Sequence, residues 1–236
     1  MNHPLLGEFL GTLLIILLGG GVVANVVLEK TKGNNGGLIS ITFGWAMGVF
    51  LGVYVCTTMG GNGHLNPAVS IAMAYLGKLP WEDVPMYAVA QLGGAFCGAI
   101  LVWLAYRQHF NATSDGDTKL AIFSTGPAIS SPIHNLLTEA IGTFVLVFGA
   151  LLMSKPANSL GTLDALPVAL LVLGIGLSLG GPTGYAINPA RDLGPRIAHF
   201  FLPIPNKRDS NWSYAWIPIL GPIVGGLLGA FVYSLL

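Results

Sequence analysis

Long apolar stretches separated by short polar ones dominate the chain. A membrane-spanning helix needs roughly 20 mostly apolar residues, and six stretches approach that length: residues 4–28, 38–59, 86–106, 135–153, 165–179 and 214–236. The fifth is short, and either extends toward Gly181 or begins before Ala165. Two further apolar segments, about 67–76 and 189–201, are too short to span. Each opens on Asn followed by Pro. Asn suits an N-cap, and Pro suits the first helical turn, where its missing N–H leaves nothing unpaired. Short helices at membrane depth are tolerated only when buried in protein or lining a water-filled cavity. The pattern therefore predicts two re-entrant half-helices among six spans.

The same pattern occurs twice. Glu8-Phe9-Leu10-Gly11-Thr12 opens the first span and Glu139-Ala140-Ile141-Gly142-Thr143 the fourth. Asn66-Pro67-Ala68 follows the second span and Asn188-Pro189-Ala190 the fifth. Gly94, Gly98 and Ala99 in the third span are matched by Gly225, Gly229 and Ala230 in the sixth. Each half holds an odd number of spans, so the second half enters the membrane from the opposite side, which is an inverted repeat with its site at the midplane. The expected fold class is an all-α membrane protein, with 1–236 as one channel domain. Repeat one covers about 4–106, a polar, turn-rich linker about 107–134, and repeat two about 135–236.

Composition agrees. Hydrophobic residues make up 53% and charged residues 8% of the chain, against about 25% charged in a soluble domain. The formal net charge is zero, which gives no electrostatic case for a nucleic-acid partner. Cys56 and Cys97 lie in apolar stretches and read as packing residues. No metal-ligand spacing appears, and no cofactor is expected. No clustered nucleophile and base points to an enzyme. Met1-Asn2-His3 carries no basic region or cleavage site, so the first span reads as retained. Under this topology Lys30, Lys32, Arg107, Lys119, Lys207 and Arg208 fall on one side and Lys78 and Lys155 on the other.

Antiparallel repeats bring both half-helix N-termini to one place. Each terminus carries roughly +0.5 of an elementary charge, and the combined field opposes cations and protons at the midplane. The amides of Asn66 and Asn188 can donate to a passing oxygen, which then accepts from both and cannot relay a proton. The segments 60–65 and 180–187 read as extended, with Gly63, His64, Leu65, Ala186 and Ile187 offering carbonyls to the pore. Glu8 and Glu139 sit inside apolar spans, where a carboxylate is costly. They read as braces accepting hydrogen bonds from the loop before each half-helix, or else as proton-coupling sites. Trp81, Trp103, Trp212 and Trp216 read as interface anchors, and His134 and His199 as interfacial.

Taken together, Glu8-Phe9-Leu10-Gly11-Thr12, Gly63-His64-Leu65-Asn66-Pro67-Ala68-Val69, Gln91, Glu139, Asn188-Pro189-Ala190-Arg191 and Gly221-Pro222-Ile223-Val224-Gly225-Gly226 resemble the major intrinsic protein family, the aquaporins and glycerol facilitators. Asp192 after Arg191, Pro218-Ile219, and Phe123-Ser124-Thr125-Gly126-Pro127 resemble its bacterial glycerol-conducting branch. The resemblance implies an aquaporin-like fold, a homotetramer with one pore per subunit, and a lipid bilayer as surroundings. It also implies a plasma-membrane location with both termini cytoplasmic, the reverse of the orientation that the positive-inside rule gives. It assigns the selectivity filter to Trp45, Gly176, Tyr185 and Arg191. Tyr185 stands where facilitators usually have Phe, and Gly176 where water-selective members have His. The spacing from Trp45 to Asn66 is one residue longer than usual, so a gapless alignment would put Ala46 in the place of Trp45. Arg191 offers a fork of donors, though a salt bridge to Asp192 is an alternative role for it. The implied function is passive diffusion of glycerol and other small neutral solutes, with water, while ions and protons are excluded. The alternatives are a channel mainly for water, hydrogen peroxide or undissociated lactic acid, and a coupled secondary transporter.

Overall fold

The computed structural model describes residues 3–153 and 159–236; Met1, Asn2 and the stretch containing Lys155 lie outside the described residues. In chain order the helices are α1 (Pro4–Val27), α2 (Gly37–Thr58), α3 (Pro67–Tyr75), α4 (Val84–Ala112), α5 (Gly116–Ala121), α6 (Pro132–Leu152), α7 (Leu166–Thr183), α8 (Pro189–Phe201) and α9 (Ile217–Ser234). Single 3-10 turns, Trp81–Asp83 and Gly161–Ala165, lead into α4 and α7. There is no strand among the described residues. Six helices are long and apolar enough to cross a membrane: α1, α2, α4, α6, α7 and α9. The short fifth span is completed at both ends, by the 3-10 turn before it and by Gly180–Thr183 after it.

Polarity is inverted relative to a soluble protein. Ile39, Phe43, Leu137, Leu170 and Leu228 are exposed on the outside, while Glu8, Gln91, Glu139, Asp192 and Arg196 are buried inside. Ionisable groups in a bilayer face the protein interior, and an apolar exterior is the surface that lipid requires.

Packing follows the repeat. α1 lies between α2 and α4, and α6 packs against α9 and α7. Each half-helix leans on the third span of the other half, α3 on α9 and α8 on α4. The paired glycines explain how close the crossings are. A Cβ at Gly94 would stand 2.1 Å from the Phe9 carbonyl oxygen, and one at Gly225 would stand 2.0 Å from that of Ala140. Backbone meets backbone at both places, the small-residue contact by which helices associate in lipid.

Three expectations need correction. Trp103 is buried in the core, under the guanidinium of Arg107, while Trp81, Trp212 and Trp216 are exposed as expected of anchors. His199 is fully buried, with Nδ1 2.8 Å from the Ser210 hydroxyl. The stretch before the second triplet is helical as far as Thr183, because Gly184 adopts φ 82° and its N–H closes on the Gly180 carbonyl. A left-handed glycine at this position caps a helix, so the Gly-Gly-Pro run before it is absorbed into the last turn.

Candidate functional site: a pore where two half-helices meet

Both half-helices begin in the same way. Asn66 Oδ1 accepts from the Ala68 N–H at 2.9 Å, and Asn188 Oδ1 accepts from Ala190 at 3.0 Å and Arg191 at 3.2 Å. Each Asn then crosses to the other repeat. Asn66 Nδ2 donates to the Ile187 carbonyl and Asn188 Nδ2 to the Leu65 carbonyl, both at 2.8 Å. An amide carries two N–H donors, so one remains on each Asn for an oxygen in the cavity that both residues line. The Leu65 and Ile187 carbonyls, expected to line the pore, thus also tie the repeats together.

The loops before the triplets are strained in matching places. Gly63 and Leu65 have φ of 69° and 51°, and Tyr185 and Ile187 have φ of 39° and 44°. This region costs Leu65, Tyr185 and Ile187 about 1–3 kcal/mol each, whereas Gly63 adopts it without strain. The two buried carboxylates hold the strained loops. Glu8 accepts from the N–H groups of His64 (3.0 Å) and Leu65 (2.7 Å) and from Gln91 Nε2 (2.8 Å). Glu139 accepts from the N–H groups of Ala186 (3.0 Å) and Ile187 (2.8 Å) and from the Thr183 hydroxyl (2.7 Å). Both carboxylates receive donors on both oxygens. Cys56, a packing residue in the sequence, also points its thiol at Glu8, 3.4 Å away.

Between these loops runs a cavity of about 480 Å³. Gly63, His64, Leu65, Ala186 and Ile187 all line it, as do Trp45, Tyr185 and Arg191. The guanidinium carbon of Arg191 lies 4.0 Å from the centroid of the Trp45 ring, a cation–π contact. Ala46 is fully buried and is absent from the lining. Gly176 is buried as well, and the Tyr185 ring covers its face: a Cβ there would stand 2.8 Å from Tyr185 Cζ. Gly176 therefore makes room for Tyr185 and does not itself line the cavity. Arg191 Nη1 and Tyr185 Oη have no hydrogen-bond partner among the described residues. Buried polar atoms are normally paired, so both are available to a polar permeant.

Asp192 does not pair with Arg191. Its carboxylate accepts from Arg196 Nε at 2.8 Å and from the Thr125 N–H and hydroxyl at 2.8 and 2.7 Å. Arg196, fully buried, donates onward to the carbonyls of Thr125, Ser210 and Asn211. This network fastens the 107–134 linker and the α8–α9 loop to the half-helix that carries Arg191. The one signal for Arg196 in the sequence is its position one turn after Asp192.

Gly19 likewise carries no distinguishing signal in the sequence. A Cβ there would fall 2.1 Å from a Trp45 ring carbon. Overpacking of this kind costs about 1–3 kcal/mol. Gly19→Val is expected to lower the melting temperature in detergent, and adding Trp45→Ala should recover part of the loss. Equal melting of the single and double variants would show that Trp45 does not occupy that space.

The model of the major intrinsic protein family matches residues 2–233. A protein of Thermotoga maritima named a probable glycerol uptake facilitator protein is 58% identical over 230 residues, covering 97% of each chain. The glycerol uptake facilitator protein of Streptococcus pneumoniae is 53% identical over 235 residues, covering 100% of both. Among solved structures, the aquaglyceroporin of Plasmodium falciparum superposes with a TM-score of 0.84 at 30% identity, covering 98% of this chain and 94% of that one. With this much of its length matched, the chain is a multi-pass membrane protein of the major intrinsic protein family, in its bacterial aquaglyceroporin branch.

Proposed function

We propose that the protein is a passive channel through which glycerol and other small neutral solutes diffuse together with water, while ions and protons are refused. The observation that carries this reading is the amphipathic constriction. Trp45 and Tyr185 give an apolar wall, and Arg191 Nη1 with Tyr185 Oη leaves unpaired polar atoms beside it. A polyol has the same division, CH groups along one edge and hydroxyls along the other, and sites of few polar groups among aromatics select by it. Arg191 donates to substrate oxygens, and the Tyr185 hydroxyl can both donate and accept. In this reading Trp45, Tyr185 and Arg191 form the filter with Gly176 behind them, Asn66 and Asn188 form the barrier, and Glu8 and Glu139 are braces. Pro67, Ala68, Pro189 and Ala190 start the half-helices close enough together for their dipoles to add.

Four copies assembling in a lipid bilayer, each with its own pore, and both termini in the cytoplasm complete the proposal. The charge count that argues for the opposite orientation includes cations with internal work. Lys119 is buried against the Pro205 carbonyl at 2.5 Å, Lys207 donates to three carbonyls at the end of α8, and Arg208 pairs with Asp117. Burial pushes both lysines below the ordinary lysine range. Residues fixed by the fold report poorly on the positive-inside bias.

The test is uptake into proteoliposomes. Labelled glycerol should enter down its gradient well above protein-free vesicles, and collapse of proton and sodium gradients should leave the rate unchanged. Trp45→Ala should raise the permeability of longer polyols relative to glycerol, since it removes one apolar wall. Uptake no faster than in empty vesicles, or uptake that stops with the gradients, rejects the proposal.

A further inference from the structure

Among the described residues, the cavity lining holds two permanent charges, Arg191 and Lys78, and no carboxylate. Arg191 belongs to the first turn of α8. Lys78 follows the end of α3, whose nine residues carry the chain about 14 Å from the meeting of the triplets at 1.5 Å per residue. The two cations therefore stand at separate stations along the cavity.

What frees Lys78 is the way α3 ends. The last carbonyls of a helix need partners. At α3 the backbone supplies them: the N–H groups of Leu76, Gly77 and Lys78 return to the carbonyls of Ala72, Ala74 and Met73 at 3.2, 3.0 and 2.9 Å. Gly77, at φ 69°, makes this turn. The equivalent half-helix α8 ends differently. There a lysine closes the helix, with Lys207 Nζ donating to the carbonyls of His199, Phe200 and Leu202 at 2.5, 2.8 and 2.7 Å. One repeat spends its lysine on carbonyls, and the other caps itself and leaves its lysine to the cavity. Lys78 has no salt-bridge partner among the described residues. Its Nζ rests 5.1 Å from the Tyr233 ring centroid on α9, a contact that orients a cation without neutralising it. Glu82 and Asp83, the nearest acids in sequence, do not line the cavity.

We infer that Lys78 is a specificity-determining residue of the mouth opposite Arg191, a fixed positive charge that repels cations before they reach the half-helix N-termini. It also offsets the negative C-terminal end of the α3 dipole, which would otherwise attract cations to that mouth. The inference rests on the channel reading above, but its test needs no solute flux.

Met73 lines the same cavity, and its carbonyl accepts from the Lys78 N–H, so Met73→Cys places a reporter thiol beside the charge. In full-length protein carrying Cys97→Ala, the reporter is reacted in detergent with an anionic and a cationic methanethiosulfonate, and the two rates are read by mass spectrometry. Lys78→Gln should lower the anionic-to-cationic rate ratio by about tenfold at low salt, the size expected for one unit charge at this range. Lys78→Arg should keep the ratio, and 1 M salt should shrink the effect, because the screening length falls to about 3 Å. Should Met73→Cys fail to fold, Met153→Cys on the same lining serves as the reporter. Equal ratios with Lys78 and with Lys78→Gln overturn the inference and leave the glycerol proposal standing. Absent glycerol uptake with a shifted ratio does the reverse.

Discussion

Glu139→Ala is expected to leave little correctly folded protein. The substitution strands the N–H groups of Ala186 and Ile187 and the hydroxyl of Thr183, all of which end on this carboxylate. A buried donor left unpaired costs about 1–3 kcal/mol, so three together cost roughly 3–9 kcal/mol. The loop they hold also carries the left-handed residues Tyr185 and Ile187, whose strain would then be unopposed. Glu139→Gln should fall between, since one of its terminal atoms donates where the wild type accepts. Size-exclusion profiles and melting temperatures in detergent should order as wild type, Gln, Ala. A Glu139→Ala variant that melts within a few degrees of wild type would falsify the bracing role. A proton-coupling carboxylate would instead leave stability intact and abolish gradient-driven uptake.

Asn188→Asp should open the channel to cations. Oδ1 can still cap α8, but the second carboxylate oxygen faces the Leu65 carbonyl with no proton to donate, so the 2.8 Å link between the repeats is lost. A full negative charge also outweighs the roughly +0.5 of each helix end. Potassium efflux from loaded proteoliposomes should rise at least about tenfold, equivalent to lowering the barrier by about 1.4 kcal/mol. Glycerol permeability should change much less, because the aromatic wall and Arg191 are untouched. Unchanged efflux in folded protein would mean that the ion barrier does not depend on these helix ends.

Much of this architecture is legible in the sequence. Six spans, two half-helices and the inverted repeat follow from apolar run length and from two copies of one motif, signals that lipid makes strong because every backbone group must be paired within the chain. Half-helix α8 has the bounds that the pattern implied, and α3 ends one residue sooner. Ends set by local chemistry were harder to read. The sequence could not show that Gly184 would carry α7 through Gly180 and Pro182, because glycine and proline signal a turn equally well on either side of a helix end. Trp103 and His199 looked interfacial because amphipathic residues occur both there and in cores, and only their neighbours decide.

The candidate site divides along the same line. The triplets, Glu8, Glu139 and Arg191 were marked by repetition and position. Their partners were not, because those contacts join residues far apart in the chain: Asn66 to Ile187, Asn188 to Leu65, and Asp192 and Arg196 to Thr125. The linker, which read as a polar connection, is fastened to α8 through Thr125.

The sequence by itself determined that this chain crosses a membrane in two inverted halves and that two asparagine-capped half-helices face each other at its centre, because periodicity, capping and hydrophobic length are local properties. Only the tertiary structure decided which side chain stands beside Arg191, since Trp45 and Ala46 are neighbours in sequence, about 100° apart around α2, and the side of α2 that meets Arg191 is fixed by the gap that Gly19 leaves for the indole. It alone decided that Gly176 serves Tyr185, and that Lys78 faces the cavity while Lys207 is occupied by carbonyls. Those outcomes depend on how helices distant in sequence share space, and no local pattern encodes them.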